Sequence, residues 1–207
     1  MMGIHNLVGV FHAHFTYKPS RDKHTTIFKS LGMKSTEIIL PDENSTYGVK
    51  QIDLLATKYY VTTNPDEVIR VFGEVAKDIT SLGLSGLEIY RTKVEYVIST
   101  IDGIEQLPIE QLSDDTYIEI HFKIDYNPSM RDAVLTFGGN NGLAVSDNLL
   151  ERGNVFFNLR IREGTVKRAR AIAAEKLDKI LEKFLINNIQ VELNIMDTNK
   201  EIDRWWA

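Results

Sequence analysis

Residues 117–126 read Tyr-Ile-Glu-Ile-His-Phe-Lys-Ile-Asp-Tyr, and residues 7–17 read Leu-Val-Gly-Val-Phe-His-Ala-His-Phe-Thr-Tyr. In the first of these, strict alternation puts Ile118, Ile120, Phe122 and Ile124 on one side of a strand and Glu119, His121, Lys123 and Asp125 on the other. The other stretch divides in the same way, with Phe11, Ala13, Phe15 and Tyr17 opposed to His12, His14 and Thr16. Each therefore reads as a half-buried strand. The residues after each strand repeat as well, because His14-Phe15 leads to Pro19-Ser20-Arg21-Asp22 and His121-Phe122 leads to Pro128-Ser129-Met130-Arg131-Asp132.

Working outward, Ser20 is placed to cap a short helix whose Ile27, Phe28 and Leu31 form an apolar stripe that Gly32 ends. Strands are predicted at 36–40, 52–62 and 87–99. Before the last of these, Asn64 can cap a helix, Pro65 suits its first position, and Val68, Val71, Phe72, Val75, Ile79 and Leu82 recur at helical spacing. In the second half the spacing predicts a short helix from Pro128 to Gly138-Gly139, strands at 143–149 and 155–161, a helix over 165–185 and a strand at 189–195. The order strand, helix, strand, strand, helix, strand thus occurs twice. The expected fold is α+β, a tandem duplication of a ferredoxin-like βαββαβ unit with antiparallel sheets. Residues 1–100 form the first lobe, the acidic stretch 101–115 with Pro108 a linker, and 116–207 the second lobe with a C-terminal tail.

Composition narrows the function. Among 207 residues, 24 Lys and Arg against 29 Asp and Glu give a net charge of −5, which disfavours broad nonspecific DNA binding. The absence of cysteine excludes disulfides, thiolate metal sites and cysteine nucleophiles. No stretch is apolar for long enough to cross a membrane as a helix, and the N-terminal residues lack the pattern of an export signal. A soluble cytoplasmic protein is expected.

Helices covering one face of each sheet leave the other face free. That face collects His12, His14, Thr16, Arg91, Lys93, Glu95, Glu119, His121 and Lys123. If the lobes bring these faces together, ionisable groups line the groove between them, where a ligand would bind. Lys93 and Lys123 would hold an anion, while Glu95 and Glu119 would orient His121 or receive ligand hydroxyls. The bland alternative makes His14 and His121 polar residues on an open sheet face, paired with Glu95 or Glu119. His12, His14, His121 and Glu119 could in principle ligate zinc or manganese, but the spacing is not distinctive and neither metal nor cofactor is expected. No Gly-x-Ser-x-Gly turn is present, and residues 138–142 read as a turn, not a phosphate loop. Trp205-Trp206 reads as a packing lid. Lys167, Arg168 and Arg170 read as a solvated helix side that could join Arg160 and Arg162 in a modest basic patch.

The run His14-Phe15-Thr16-Tyr17, set against His121-Phe122-Lys123-Ile124, is similar to the two-histidine phosphoesterases, each of whose lobes contributes a His-x-Thr/Ser-apolar strand. The resemblance implies that His14 and His121 act as general base and acid on a phosphodiester while Thr16 holds a phosphate oxygen. Lys123 stands where that family has Ser or Thr. More of the chain is similar to a scattered family of uncharacterised two-lobed proteins. The resemblance lies in Arg91-Thr92-Lys93-Val94-Glu95, in residues 117–123, in Val145-Ser146-Asp147-Asn148, and in an ending with Asp197, Asn199, Asp203 and Trp206. The expected function is binding of an anionic, phosphorylated ligand, a nucleotide or RNA end, with phosphoesterase activity as its enzymatic form. A noncatalytic structural or partner-binding protein is the alternative. Oligomeric state is not legible.

Overall fold

A computed structural model describes residues 9–17, 24–41, 50–62, 64–81, 89–98, 116–148 and 153–198. Its elements are β1 (Gly9–Tyr17), α1 (His24–Ser30), β2 (Lys34–Pro41), β3 (Lys50–Thr62), α2 (Pro65–Ser81), β4 (Ile89–Val97), β5 (Tyr117–Asp125), α3 (Arg131–Asn141), β6 (Ala144–Asn148), β7 (Asn154–Ile161), α4 (Val166–Leu181) and β8 (Ile186–Asp197). The fold is α+β, with every strand pairing antiparallel. The expected cap at Asn64 forms, its Oδ1 accepting from Glu67 N at 3.3 Å; α4 is capped as well, by Thr165 Oγ1 accepting from Arg168 N at 3.2 Å. Ser20, the linker 101–115 and the tail with Asn199, Asp203, Trp205 and Trp206 lie outside the described residues.

Two helix ends differ from expectation. α3 runs through Gly138-Gly139 and stops at Gly142, whose φ of 62° is the left-handed conformation that ends helices. α4 stops at Leu181 and not at Leu185: Lys183 N tightens onto Ile180 O at 3.0 Å, three residues back instead of four, and the Phe184 ring folds onto Phe137 and Phe157, 5.2 and 5.5 Å away. Apolar contact, with helix-closing hydrogen bonds, ends the element before its periodicity does.

The strands close into one barrel in the order β1-β3-β2-β6-β7-β5-β8-β4. Within the first half the sequence of neighbours is β4-β1-β3-β2, and in the second β8-β5-β7-β6, the same pattern of first, second, third and fourth strands. Same-ranked strands join the halves: β2 to β6 and β4 to β8. The register irregularities also correspond. Between β1 and β4 the register shifts at Thr16/Tyr17, two residues past His14; between β5 and β8 it shifts at Lys123/Ile124, two residues past His121.

The apolar strand faces look outward to the helices. Phe15 stacks on Phe72 of α2 at 3.9 Å, Tyr17 meets Phe28 of α1 at 4.8 Å, and Phe157 meets Phe137 of α3 at 5.3 Å. Closure turns the polar faces inward to line the barrel interior. It also changes the expected half-buried strands: His12, Thr16, Arg91, Lys93, Glu95 and Glu119 are as buried as the apolar residues beside them. Alternation separates two faces but does not say that the second is wet.

Candidate functional site

Each interior histidine is set by its strand register. His14 on β1 lies opposite Thr57 on β3 and Lys93 on β4; His121 on β5 lies opposite Asn158 on β7 and Gln190 on β8. Two residues beyond Lys93 stands Glu95, and two beyond Gln190 stands Glu192. Both carboxylates reach the imidazole. His14 Nε2 is 2.8 Å from Glu95 Oε2 and its Nδ1 2.8 Å from Thr57 Oγ1. His121 Nε2 is 3.3 Å from Glu192 Oε2 and its Nδ1 2.6 Å from Asn158 Oδ1. Corresponding positions in the two halves therefore build the same arrangement, a neutral polar side chain and a buried carboxylate bracketing one imidazole.

Hydrogen-bond chemistry decides the protonation of His121. Asn158 Nδ2 donates to Ser146 Oγ at 2.9 Å and to the Ala144 carbonyl at 3.4 Å, which turns its amide oxygen toward His121. Both ring nitrogens of His121 then face acceptors, so both carry hydrogen. Burial by itself lowers the imidazole, but the hydrogen bond to Glu192 and the charges of Glu119, Glu192 and Glu95 outweigh it and raise it to about 9. The group is an imidazolium at neutral pH. Glu192 is pushed up by burial, yet the hydrogen bonds from His12 and His121 hold it well below the ordinary carboxylate range. His12 Nδ1 approaches its other oxygen at 2.6 Å, and the Gln190 amide donates to that oxygen at 2.7 Å.

Beside the histidines lies a set of paired charges. Lys93 is held between Glu95 and Glu119, and Arg160 Nη2 reaches Glu119 at 3.4 Å. Burial would discharge Lys93, but Glu119 and Glu95 overcome that and raise it well above its usual value. Both acids are pushed up by burial. For Glu95, with Glu192 adding to the rise, Lys93 and His14 bring it down to about 2; for Glu119, Lys93 and Arg160 do so, also to about 2. Arg91 grips Asp197 through two nitrogens, at 2.9 and 2.6 Å, and Tyr117 OH donates to the same carboxylate at 2.8 Å. The Tyr117 ring lies under Arg160, 4.2 Å from its guanidinium carbon, and burial drives its hydroxyl far above the ordinary phenol. Arg91, Lys93, Arg160 and imidazolium His121 thus match Glu95, Glu119, Glu192 and Asp197 in number.

The structure brings His14, His121, Lys93, Glu95 and Glu119 into this interior but divides their contacts differently from expectation. Glu95 orients His14, Glu192 takes the place assigned to Glu95 or Glu119 at His121, and Glu119 serves Lys93 and Arg160. Lys93 is committed to carboxylates. Thr16 is buried on the same face, and Lys123 Nζ lies 5.9 Å from the centre of the Phe156 ring. Arg160 is a buried interior residue and no part of a surface patch with Lys167. Sequence reasoning misses Thr57, Asn158, Gln190 and Glu192, although 155–161 and 189–195 alternate as clearly as 117–126 and put Asn158, Gln190 and Glu192 on the polar face. No group of metal-ligating side chains occurs among the described residues.

No family model and no curated protein matches the chain. Among solved structures, a mutant chlorite dismutase from Candidatus Nitrospira defluvii is 12% identical over 97% of this chain and 96% of its own, with a TM-score of 0.26. So slight a likeness carries no argument about either fold or chemistry.

Proposed function

We propose that the barrel interior binds a small anionic, phosphate-bearing ligand, a nucleotide or an RNA end, beside His14 and His121. The observation that carries this reading is the repeated imidazole–carboxylate pair at matched register. Buried ion pairs seldom stabilise a fold more than well-packed apolar residues would, so folding alone gives no reason to build the arrangement twice. The side chains of His14 and His121 also keep 18% and 22% of their surface exposed, against 3% and 4% for the Glu95 and Glu192 that hold them. His121 offers fixed positive charge; Thr16, Lys93, Lys123 and the two glutamates shape the surroundings. The same symmetry supports reading the halves as a tandem ferredoxin-like duplication, with 1–100 and 116–207 as its lobes. A cytoplasmic location belongs to the proposal, as nucleotides and RNA ends are met there; no described helix is long and apolar enough to cross a membrane.

Both ring nitrogens of His14 and His121 are occupied by protein groups, so acid–base work on a phosphodiester requires each to release a partner. Turnover of cyclic phosphodiesters by wild type, His14→Ala and His121→Ala tests the enzymatic form: loss in either variant is expected of a phosphoesterase, and unchanged turnover in both removes it. The balanced pairing of interior charges favours a second reading, a noncatalytic structural or partner-binding protein. Titration with nucleotides and short RNAs separates the two. Saturable binding is expected here, and its absence across the series favours the structural account.

A further inference from the structure

The exposed large apolar side chains lie at one end of the barrel. Among the described residues they are Val10, Tyr59 and Val61, then Leu181, Leu185 and Ile189, and lastly Leu31. β1 starts at this end, so its antiparallel neighbours β3 and β4 finish there, while β8 beside β4 and β2 beside β3 start there. Val10 and Val61 are direct partners where β1 starts and β3 finishes, and Tyr59 stands two residues before Val61. Leu181 ends α4, Leu185 immediately precedes β8, Ile189 lies near its start, and Leu31 sits between α1 and β2. Scattered apolar exposure is normal, but chance would divide it between the two ends. Register puts Val10, Tyr59 and Val61 on the same side of the sheet as His14, the interior side, yet Val61 is 83% exposed. In the second half the positions matching Tyr59 and Val61 are Arg160 and Arg162, at the opposite end, where both guanidinium groups lie over the Tyr117 ring at 4.2 and 5.1 Å. One mouth of the barrel is thus filled by its own side chains, and the other presents an apolar rim.

We infer that two copies of the chain associate through this end, as a two-fold dimer in which Leu181, Leu185 and Ile189 of each copy cover the rim of Val10, Tyr59 and Val61 on the other. Two observations select a second copy as the occupant. The two apolar groups flank the end of β4, since β1 and β8 are its neighbours. A two-fold axis lying in this end and passing between the groups therefore sets the first group of each copy on the second group of the other, twice over, and the assembly closes. Leu185, 72% exposed, is the side chain that stands out farthest to meet the rim. The charges around the two groups carry both signs: Lys179 and Lys183 accompany Asp178 and Glu182 on α4, and Lys29 and Lys34 on either side of Leu31 accompany Asp66 and Glu67 at the start of α2. A chain of net charge −5 repels its own copies, and mixed charge makes this end a place where they meet without that repulsion. The same mixture withholds the positive excess that nucleic acid or an acidic lipid surface requires.

Sedimentation velocity on the full-length chain tests this. Wild type should pass from monomer to dimer as its concentration rises. Val61→Glu and Leu185→Glu each put a charge where the fold leaves the side chain exposed, and each should weaken dimerisation by roughly tenfold or more. Mixing Val61→Glu with Leu185→Lys should restore dimer that neither forms alone, because one of the two equivalent contacts is then an ion pair and the other is unaltered. A wild type that stays monomeric at every concentration overturns the proposal, as does a dimer indifferent to both Glu substitutions. Loss in both single variants with no recovery on mixing overturns the pairing of the two groups. The wild-type series decides whether the dimer exists, and Leu185→Ser reads the same contact if a charged variant fails to fold.

Discussion

His121 titrates where stability can be read. Its folded-state value of about 9 lies above the 6.5 of the unfolded chain, so its contribution is fully present below the unfolded value and lost as pH rises through about 9. Urea unfolding from pH 6 to pH 10 should show stability falling across that window by an amount on the order of a few kcal/mol, and His121→Gln should flatten the fall. Glu95 and Glu119 act with the opposite sign: both are held at about 2 against 4.5 in the unfolded chain, so their contribution is present above 4.5 and lost as pH falls toward 2. Lys93 gives the sharpest single-residue test. Lys93→Met leaves Glu95 and Glu119 buried beside an apolar group and should cost about 3–5 kcal/mol in urea unfolding. Adding Glu119→Gln to it should recover part of that loss, since one stranded charge is removed; costs that simply add would mean the two residues are not coupled.

At the scale of an element, two adjacent glycines of α3 make opposite predictions. A Cβ on Gly138 would lie 2.7 Å from Val145 Cγ2 and 2.8 Å from the Leu143 carbonyl, and the backbone atom cannot step aside. Gly138→Ala should therefore destabilise by about 1–3 kcal/mol. A Cβ on Gly139 would meet nothing within 4 Å, so Gly139→Ala should gain about 0.5–1 kcal/mol from helix propensity. Paired thermal melts check both signs at once. Local pattern makes much of this scale readable from sequence. Alternation gives β1 and β5 their faces and Asn64-Pro65 starts α2, because each is dictated by neighbours in sequence. The Gly138-Gly139 pair misleads as a helix end, since what permits α3 to continue is close approach to β6, a contact that sequence spacing does not contain. Glu192 escapes a sequence reading for a related reason: it becomes the partner of His121 only once β8 lies beside β5 with the register that opposes Gln190 to His121.

At the scale of the whole molecule, the closing seams are unequal. Among the described residues, β4 and β8 match at five positions, from Lys93↔Asp197 to Val97↔Glu192, whereas β2 and β6 match at two, Ile38↔Asn148 and Ile39↔Asp147. Opening of a barrel should begin where fewest ladder bonds must break. Amide hydrogen exchange is expected to be faster at Ile38, Ile39, Asp147 and Asn148 than along 93–97 and 192–197; equal protection would mean that the barrel opens only as one unit. Nothing in the sequence announces these seams, because edge-to-edge pairing of distant strands leaves no periodic trace in either one.

Same-ranked strands meeting at both seams also set a timetable for synthesis. When the first half has left the ribosome, β2 and β4 are bare rims and the surface bearing His14, Lys93 and Glu95 has nothing across from it. The mate of β4 is β8, the last of the described strands, whose final residue is Asp197. At roughly 5–20 residues per second, the nascent chain must from that point hold the β4 rim unattached for about 5–20 s, and the β2 rim, whose mate β6 is made sooner, for about half as long. Over that interval another half-made copy is a competing mate for each bare rim, so crowded polysomes are where this protein should be most prone to knit into the wrong neighbour.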